Sequence, residues 1–214
     1  MNYEFFNTVS ICEDETYTLE DGTVVSQAGT YSVNFPTTAN SCDSIYNTTV
    51  NVNRLLQYTP LEDIRVCSGL GVTLGVGAQN TTAIQWYVSS NGVEQSLAGN
   101  ANYVNTTSDS LGFNLDVLLH ENIYIIQMTD ECGRVTRDSM LLEVFEPHAV
   151  ENPVADTTFC MHEIDIITVN YNGHSYEWNN GTLGASVMPT EAGDFIVNFV
   201  ENYTGCLLSD TIIF

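Results

Sequence analysis

Apolar residues recur along the chain in short alternating runs separated by turn-forming pairs. Tyr17-Thr18-Leu19, 48–52, Val72-Thr73-Leu74, 84–88, 124–128, 164–169 and 195–199 are rich in β-branched and aromatic side chains. Their period is close to two, the signature of half-buried strands. Asp21-Gly22, Asn91-Gly92, Asn172-Gly173 and Asn180-Gly181 are Asx-Gly pairs, which accept the positive φ values of tight hairpins. No segment holds a period of 3.6. The nearest is 109–120, with Leu111, Phe113, Leu115, Leu118 and Leu119; it reads equally as a short helix or an irregular strand pair. The pattern predicts an all-β chain.

The runs are organised by an internal repeat. Six cysteines fall into three pairs, separated by 30, 65 and 46 residues. The first of each pair sits at the entry to a strand-like stretch: Val9-Ser10-Ile11-Cys12, Ile64-Arg65-Val66-Cys67 and Thr157-Thr158-Phe159-Cys160. The second precedes a stretch of Asp, Ser or Thr, and an apolar residue: Asp43-Ser44-Ile45, Asp138-Ser139-Met140 and Asp210-Thr211-Ile212. Gly29-Thr30-Tyr31-Ser32-Val33 and Gly193-Asp194-Phe195-Ile196-Val197 place Tyr31 and Phe195 eleven residues before Cys42 and Cys206. Tyr124, in Asn122-Ile123-Tyr124-Ile125-Ile126, lies eight before Cys132. Three diverged copies of one module follow, at 1–56, 57–148 and 149–214.

Short strands, frequent turns and a cysteine pair per copy predict three tandem small immunoglobulin-like antiparallel β-sandwich modules, each with one disulfide. The expected bridges are Cys12–Cys42, Cys67–Cys132 and Cys160–Cys206; any pairing between copies would overturn the repeat argument. Trp86 and Trp178 sit where such folds place a core indole, and Tyr31, Tyr124 and Phe195 are the remaining core aromatics. The first copy has no tryptophan and is small, so it should lean most on its disulfide and its neighbour.

Composition narrows the setting. Four basic residues, all arginine, face 27 acidic ones, for a net charge of −23. That excludes a surface for nucleic acid or anionic lipid. With 43% hydrophobic residues the chain still buries cores, and six cysteines favour an oxidising compartment. No run approaches the roughly 20 apolar residues of a membrane span. Met1-Asn2-Tyr3-Glu4 does not open a signal peptide, so an exported protein would carry this chain as a fragment or mature segment.

Ile11-Cys12-Glu13-Asp14-Glu15-Thr16-Tyr17-Thr18-Leu19-Glu20-Asp21-Gly22-Thr23-Val24-Val25, with Ala28-Gly29-Thr30-Tyr31 and Cys42-Asp43-Ser44-Ile45, resembles the repeat of very large surface adhesins of the Bacteroidota, the SprB-type gliding-motility adhesins. Tyr176-Glu177-Trp178, Gly193-Asp194-Phe195 and Gly205-Cys206, and in the middle copy Val66-Cys67-Ser68-Gly69, Gln85-Trp86-Tyr87 and Glu131-Cys132-Gly133, resemble the Ig-like or PKD-like repeats of the same proteins. The resemblance implies a structural or adhesive segment exported by the type IX secretion system and displayed on the outer membrane. Its partners would be neighbouring repeats, the gliding and secretion machinery, and an extracellular polysaccharide or other surface.

Chemistry-bearing motifs are sparse. His162-Glu163 is followed by Ile166 where a zinc helix needs histidine, and there is no lysine nucleophile, Walker motif or Gly-x-Ser-x-Gly elbow. No enzyme, cofactor or metal is expected. Calcium is the one metal candidate, at Glu13-Asp14-Glu15, Glu20-Asp21 and Glu62-Asp63; solvated turns are the plainer reading. The resemblance also suggests O-glycosylation at Ser44, Ser110, Ser139, Thr157 and Thr211, against the reading that Asp then Ser/Thr opens a strand. Two competing functions remain. A glycan-binding module would need an exposed platform drawn from Tyr87, Tyr103, Tyr171, Tyr176 and Tyr203, and a strand-exchanging filament subunit would lack a strand of its own.

Overall fold

A computed structural model describes residues 3–36, 43–68, 71–113, 122–146, 150, 154, 156 and 166–213. All regular structure among them is strand, as the alternation predicts. The stretch 110–113 of the ambiguous segment is strand; 114–120, with Leu115, Leu118, Leu119 and His120, lies outside the described residues, as do Cys42, Thr157 and Cys160. The chain forms two compact units, one built mainly from residues up to 141 and one from 142 onward together with 64–67.

The first unit opens with β1 (Tyr3–Cys12), β2 (Tyr17–Thr18), β3 (Val24–Val25), β4 (Gly29–Phe35) and β5 (Ser44–Asn53). One sheet has the order β1-β5-β4, and β2 pairs with β3. The first strand runs parallel to the last, from Tyr3 opposite Ser44 to Cys12 opposite Asn53. Next along the chain come β6 (Ile64–Cys67), which with the end of β13 belongs to the second unit, then β7 (Thr73–Gly75), β8 (Thr81–Ser90), β9 (Val93–Ser96), β10 (Tyr103–Val104), β11 (Ser110–Phe113), β12 (Asn122–Asp130) and β13 (Val135–Phe145). The larger sheet has the order β6-β13-β12-β8-β9 and the smaller β10-β11-β7. Again the first strand pairs parallel with the last, Ile64 opposite Leu142 and Cys67 opposite Phe145. This is the immunoglobulin arrangement, two sheets with the first and last strands side by side. In the second unit, β14 (Ile167–Thr168) pairs with β16 (Ser186–Val187), and β15 (Gly173–Trp178), β17 (Asp194–Glu201) and β18 (Leu207–Ile213) form a sheet of order β15-β17-β18.

Among the described residues, the strands that follow the first one in each set keep one order, and the sets differ in the connection between β2 and β3, between β7 and β11, and between β14 and β16. That connection is 19–23 in the first set, 169–185 in the third and 76–109 in the second. The first is a tight turn in which Leu19 donates its N–H to the Thr23 carbonyl (2.8 Å) and Gly22 donates to Leu19 (2.9 Å). The third holds β15, and the second holds β8, β9 and β10. The unequal cysteine separations follow from the strands inserted there.

Both tryptophans sit on the inserted strand beside the penultimate one. Trp86 and Trp178 are 0% and 1% exposed. Each lies opposite the same position of its neighbour, Ile126 on β12 and Val197 on β17. Trp86 donates its backbone N–H to the Thr106 carbonyl and its indole N–H to the Ser108 carbonyl. Trp178 does the same to Thr182 and Gly184. These acceptors stand four and two residues before β11 and β16 respectively. A buried indole needs its donor satisfied, and both copies use the same carbonyls.

Tyr124 and Phe195 are buried, while Tyr31, at the matching position, is only half-buried and donates its hydroxyl to the Gln27 carbonyl (2.9 Å). Asn91 (φ 52°) and Gly92 (φ 78°) form the hairpin turn between β8 and β9. Gly173 departs from its reading as a turn residue: it opens β15, where an added Cβ would lie 2.4 Å from the Phe199 ring and 2.8 Å from the Val200 carbonyl. Replacing Gly173 by Ala forces backbone apart, and thermal unfolding of the purified variant should show a loss of about 1–3 kcal/mol; Gly181→Ala meets no neighbouring atom but sits at φ 82°, and should lose about 1–2 kcal/mol through backbone strain alone.

Candidate functional site

The described cysteines form two bridges, Cys12–Cys132 and Cys67–Cys206. These replace all three expected pairs, Cys12–Cys42, Cys67–Cys132 and Cys160–Cys206. Both cross between the expected modules, which overturns the repeat argument built on one bridge per module and leaves the likeness of the strand sets resting on strand order; the cause is strand direction. Because β6 runs parallel to β13, Cys67 lies opposite Phe145 at the far end of β13, whereas Cys132 precedes its start at Val135. Eleven residues of strand span over about 30 Å, and a disulfide tolerates at most about 7 Å between Cα atoms. Cys12 likewise closes β1 opposite Asn53, at the end of β5; Cys42 lies outside the described residues. Cys12 and Cys67 each reach forward to the turn of the following strand set.

Each turn presents its cysteine by the same device. Asp130, 4% exposed at the end of β12, accepts the N–H groups of Cys132 (2.9 Å) and Arg134 (2.8 Å) on Oδ1. Glu201, 4% exposed at the end of β17, accepts the Thr204 hydroxyl, and Thr204 Oγ1 in turn accepts the Cys206 N–H (3.2 Å). Gly133 and Gly205 close the turns at φ 77° and 73°, donating to the carbonyls of Asp130 and Glu201. A buried carboxylate is tolerated where it is hydrogen-bonded. The signal for these two residues was the acid ahead of a glycine beside each turn cysteine, and sequence reasoning missed it.

Around Cys12–Cys132 the acidic cluster 13–15 is committed to the junction. Arg134 binds Asp14 bidentately (2.9 and 2.7 Å), Glu15 accepts the Cys12 N–H (3.0 Å) and Glu13 the Leu55 N–H (3.3 Å). Asn53 donates to the Glu131 carbonyl, and the Arg54 N–H to its carboxylate (both 3.0 Å). Asp21 accepts the Thr23 N–H and Asp63 the Leu141 N–H. Of the calcium candidates, Glu13, Asp14, Glu15, Asp21 and Asp63 therefore serve as turn and junction acceptors, and among the described residues no three His, Cys, Asp or Glu converge as a metal set.

Asp138 accepts from Ser139 N–H and Leu61 N–H, and Asp210 from Thr211 N–H and the Tyr171 hydroxyl. The recurring Asp-Ser/Thr pair thus anchors the last strand. Ser139 and Thr211 are exposed, and Ser44 and Ser110 half-buried. Burial, reinforced by Asp210, pushes the Tyr171 phenol up to about 12. The tyrosine platform does not assemble. Tyr171 is buried, Tyr176 stacks on Phe199, Tyr103 packs against Phe113 and Tyr124, and Tyr87 lies under Arg137; Tyr203 is 76% exposed.

No protein-family model matches the chain, and no curated protein matches it. Solved structures that resemble it are immunoglobulin-like. Drosophila OTK extracellular domains 3–5 share 14% identity over 94% of this chain and 77% of theirs, with a TM-score of 0.44. A Dscam structure concerned with isoform specificity shares 11% over 93% of this chain, TM-score 0.38, and this chain spans 59% of its length. DIP-gamma IG1+IG2 shares 12% over 74% of this chain and 95% of its own, TM-score 0.35. At these values the fold assignment rests on strand order and register.

Two measurements check the junction. Non-reducing peptide mapping should join Cys12 to Cys132 and Cys67 to Cys206; recovery of Cys12 with Cys42 contradicts the register. The hydrogen bond from Arg134 holds the Asp14 carboxyl below its usual value, so its contribution is present above the unfolded carboxylate range and lost as pH falls through the lowered folded value. An NMR titration of Asp14 should midpoint lower in the native chain than in an Arg134→Ala variant.

Proposed function

We propose that the chain is a load-bearing, adhesive spacer of an extracellular surface protein, its repeats stapled head to turn by disulfides. One observation carries this: first and last strands are parallel in β1–β5 and in β6–β13. The start of the first strand and the end of the last lie at opposite ends of the ladder, so tension along the chain shears all its hydrogen bonds together rather than opening them one by one. The bridges enclose 120 and 139 residues, and loop-closure entropy assigns each about 5 kcal/mol. Disulfides of this kind persist outside the reducing cytosol, and an acidic, lysine-free surface keeps a long polymer soluble and self-repelling. The finer attribution, to an outer-membrane gliding-motility adhesin exported by the type IX route, is supported by the resemblance of 11–25 and its companion motifs. Glycosylation at the exposed Ser139 and Thr211 fits the same setting.

The bridges interleave along the sequence, which sets a test. Pulled from residues 3 and 213, the oxidised chain extends along its shortest covalent path to about 250 Å, and the reduced chain to about 740 Å. Single-molecule force spectroscopy should record these limits, with rupture forces of a sheared ladder; a reduced and an oxidised chain of equal extension would refute the load-bearing reading.

A further inference from the structure

The strand β4 carries Gly29-Thr30-Tyr31-Ser32-Val33-Asn34-Phe35, and β17 with its preceding glycine carries Gly193-Asp194-Phe195-Ile196-Val197-Asn198-Phe199. The two heptapeptides share glycine, valine, asparagine and phenylalanine at the same places, and both strands pair antiparallel with the last strand of their set. Their surroundings differ on the other edge. β17 is flanked there by β15 and β12 by β8, whereas among the described residues no strand pairs with the outer edge of β4. Phe199 is 1% exposed, in contact with Tyr171 and Tyr176; Phe35 is 39% exposed. Tyr31 is half-buried where Phe195 is 7% exposed. A sequence that buries its aromatics when covered leaves them in water when uncovered.

Three further features describe what would cover them. In both sets with an inserted strand a tryptophan stands opposite the position equivalent to Val33, and the carbonyls that receive its two N–H groups correspond in the first set to Glu20 and Gly22, exposed in the β2–β3 turn. Thr48, 1% exposed and opposite Tyr31, has an Oγ1 with no hydrogen-bond partner among the described residues. Tyr3, Phe5 and Phe35 are exposed on the strands around Tyr46, with Phe5 stacked on Tyr46 at 4.8 Å and Phe35 edge-on at 5.7 Å.

We propose that the outer edge of β4 takes up an extended peptide segment from another protein as an added antiparallel strand, with a tryptophan opposite Val33. Main-chain hydrogen bonds along the free edge supply affinity and alternate side chains supply specificity. The net charge of −23 opposes a second copy of this chain and favours a segment with lysine or arginine on its solvent-facing positions. An exposed aromatic edge strand invites indiscriminate pairing unless a partner occupies it.

The chain's own sequence provides the probe: a synthetic peptide of residues 81–90, Thr81 to Ser90, with lysines at both ends and 5-fluorotryptophan in place of its tryptophan. With the full oxidised chain, peptide addition should shift the fluorine resonance and slow amide exchange in 29–35 by about fivefold or more. A peptide with alanine for tryptophan should give neither effect. Phe35→Glu, an exposed site whose variant should keep its thermal midpoint, should weaken binding about tenfold. No slowing in 29–35 at about 1 mM peptide, slowing confined to other strands, or equal binding of the alanine peptide overturns the proposal, as does sedimentation showing self-association that already shields 29–35. A chain that fails this test can still meet the pulling test.

Discussion

The pairing of first strand with last, side by side and in the same direction, is the constraint on which the rest of the structure depends. It sends each first strand to the far end of its own sheet and thereby removes its cysteine from reach of its own turn. The covalent framework is then decided by direction: a first-strand cysteine is delivered to where the next turn is presented. Asp130 and Glu201 complete the arrangement, because a turn that must offer a thiol in one direction needs its backbone N–H groups held, and a buried carboxylate holds them more firmly than water does.

A second dependence runs through the indoles. Trp86 and Trp178 each fasten an inserted strand to the smaller sheet with two hydrogen bonds to fixed carbonyls. Burying so large a side chain is worth roughly 3–5 kcal/mol on removal to alanine, so each inserted strand brings a substantial share of its own core. Where no inserted strand exists, the penultimate strand keeps the sequence of a covered strand without its cover, as the contrast of Phe35 with Phe199 shows.

Strand content and the immunoglobulin class were legible because alternation and Asx-Gly turns act locally. The pairing of the cysteines was not, because no local pattern states whether Val9-Ser10-Ile11-Cys12 will run with or against 44–53. Gly173 misled for a related reason: Asn172-Gly173 has the chemistry of a turn, but the glycine is required by the closeness of Phe199 and Val200. The acidic cluster 13–15 resembled a cation site in one dimension and proved to be a set of acceptors for Arg134, Cys12 and Leu55 in three.

The variable connection between the two strands of the smaller sheet has a consequence for how such chains diversify. Everything that carries covalent and parallel-strand continuity lies outside it, so its length changes the width of a sheet by whole strands and leaves the joints alone. It is therefore the place where foreign sequence, whether arriving by recombination or by design, is accommodated with least disturbance, and a repeat can broaden or narrow its lateral face while its neighbours keep their grip.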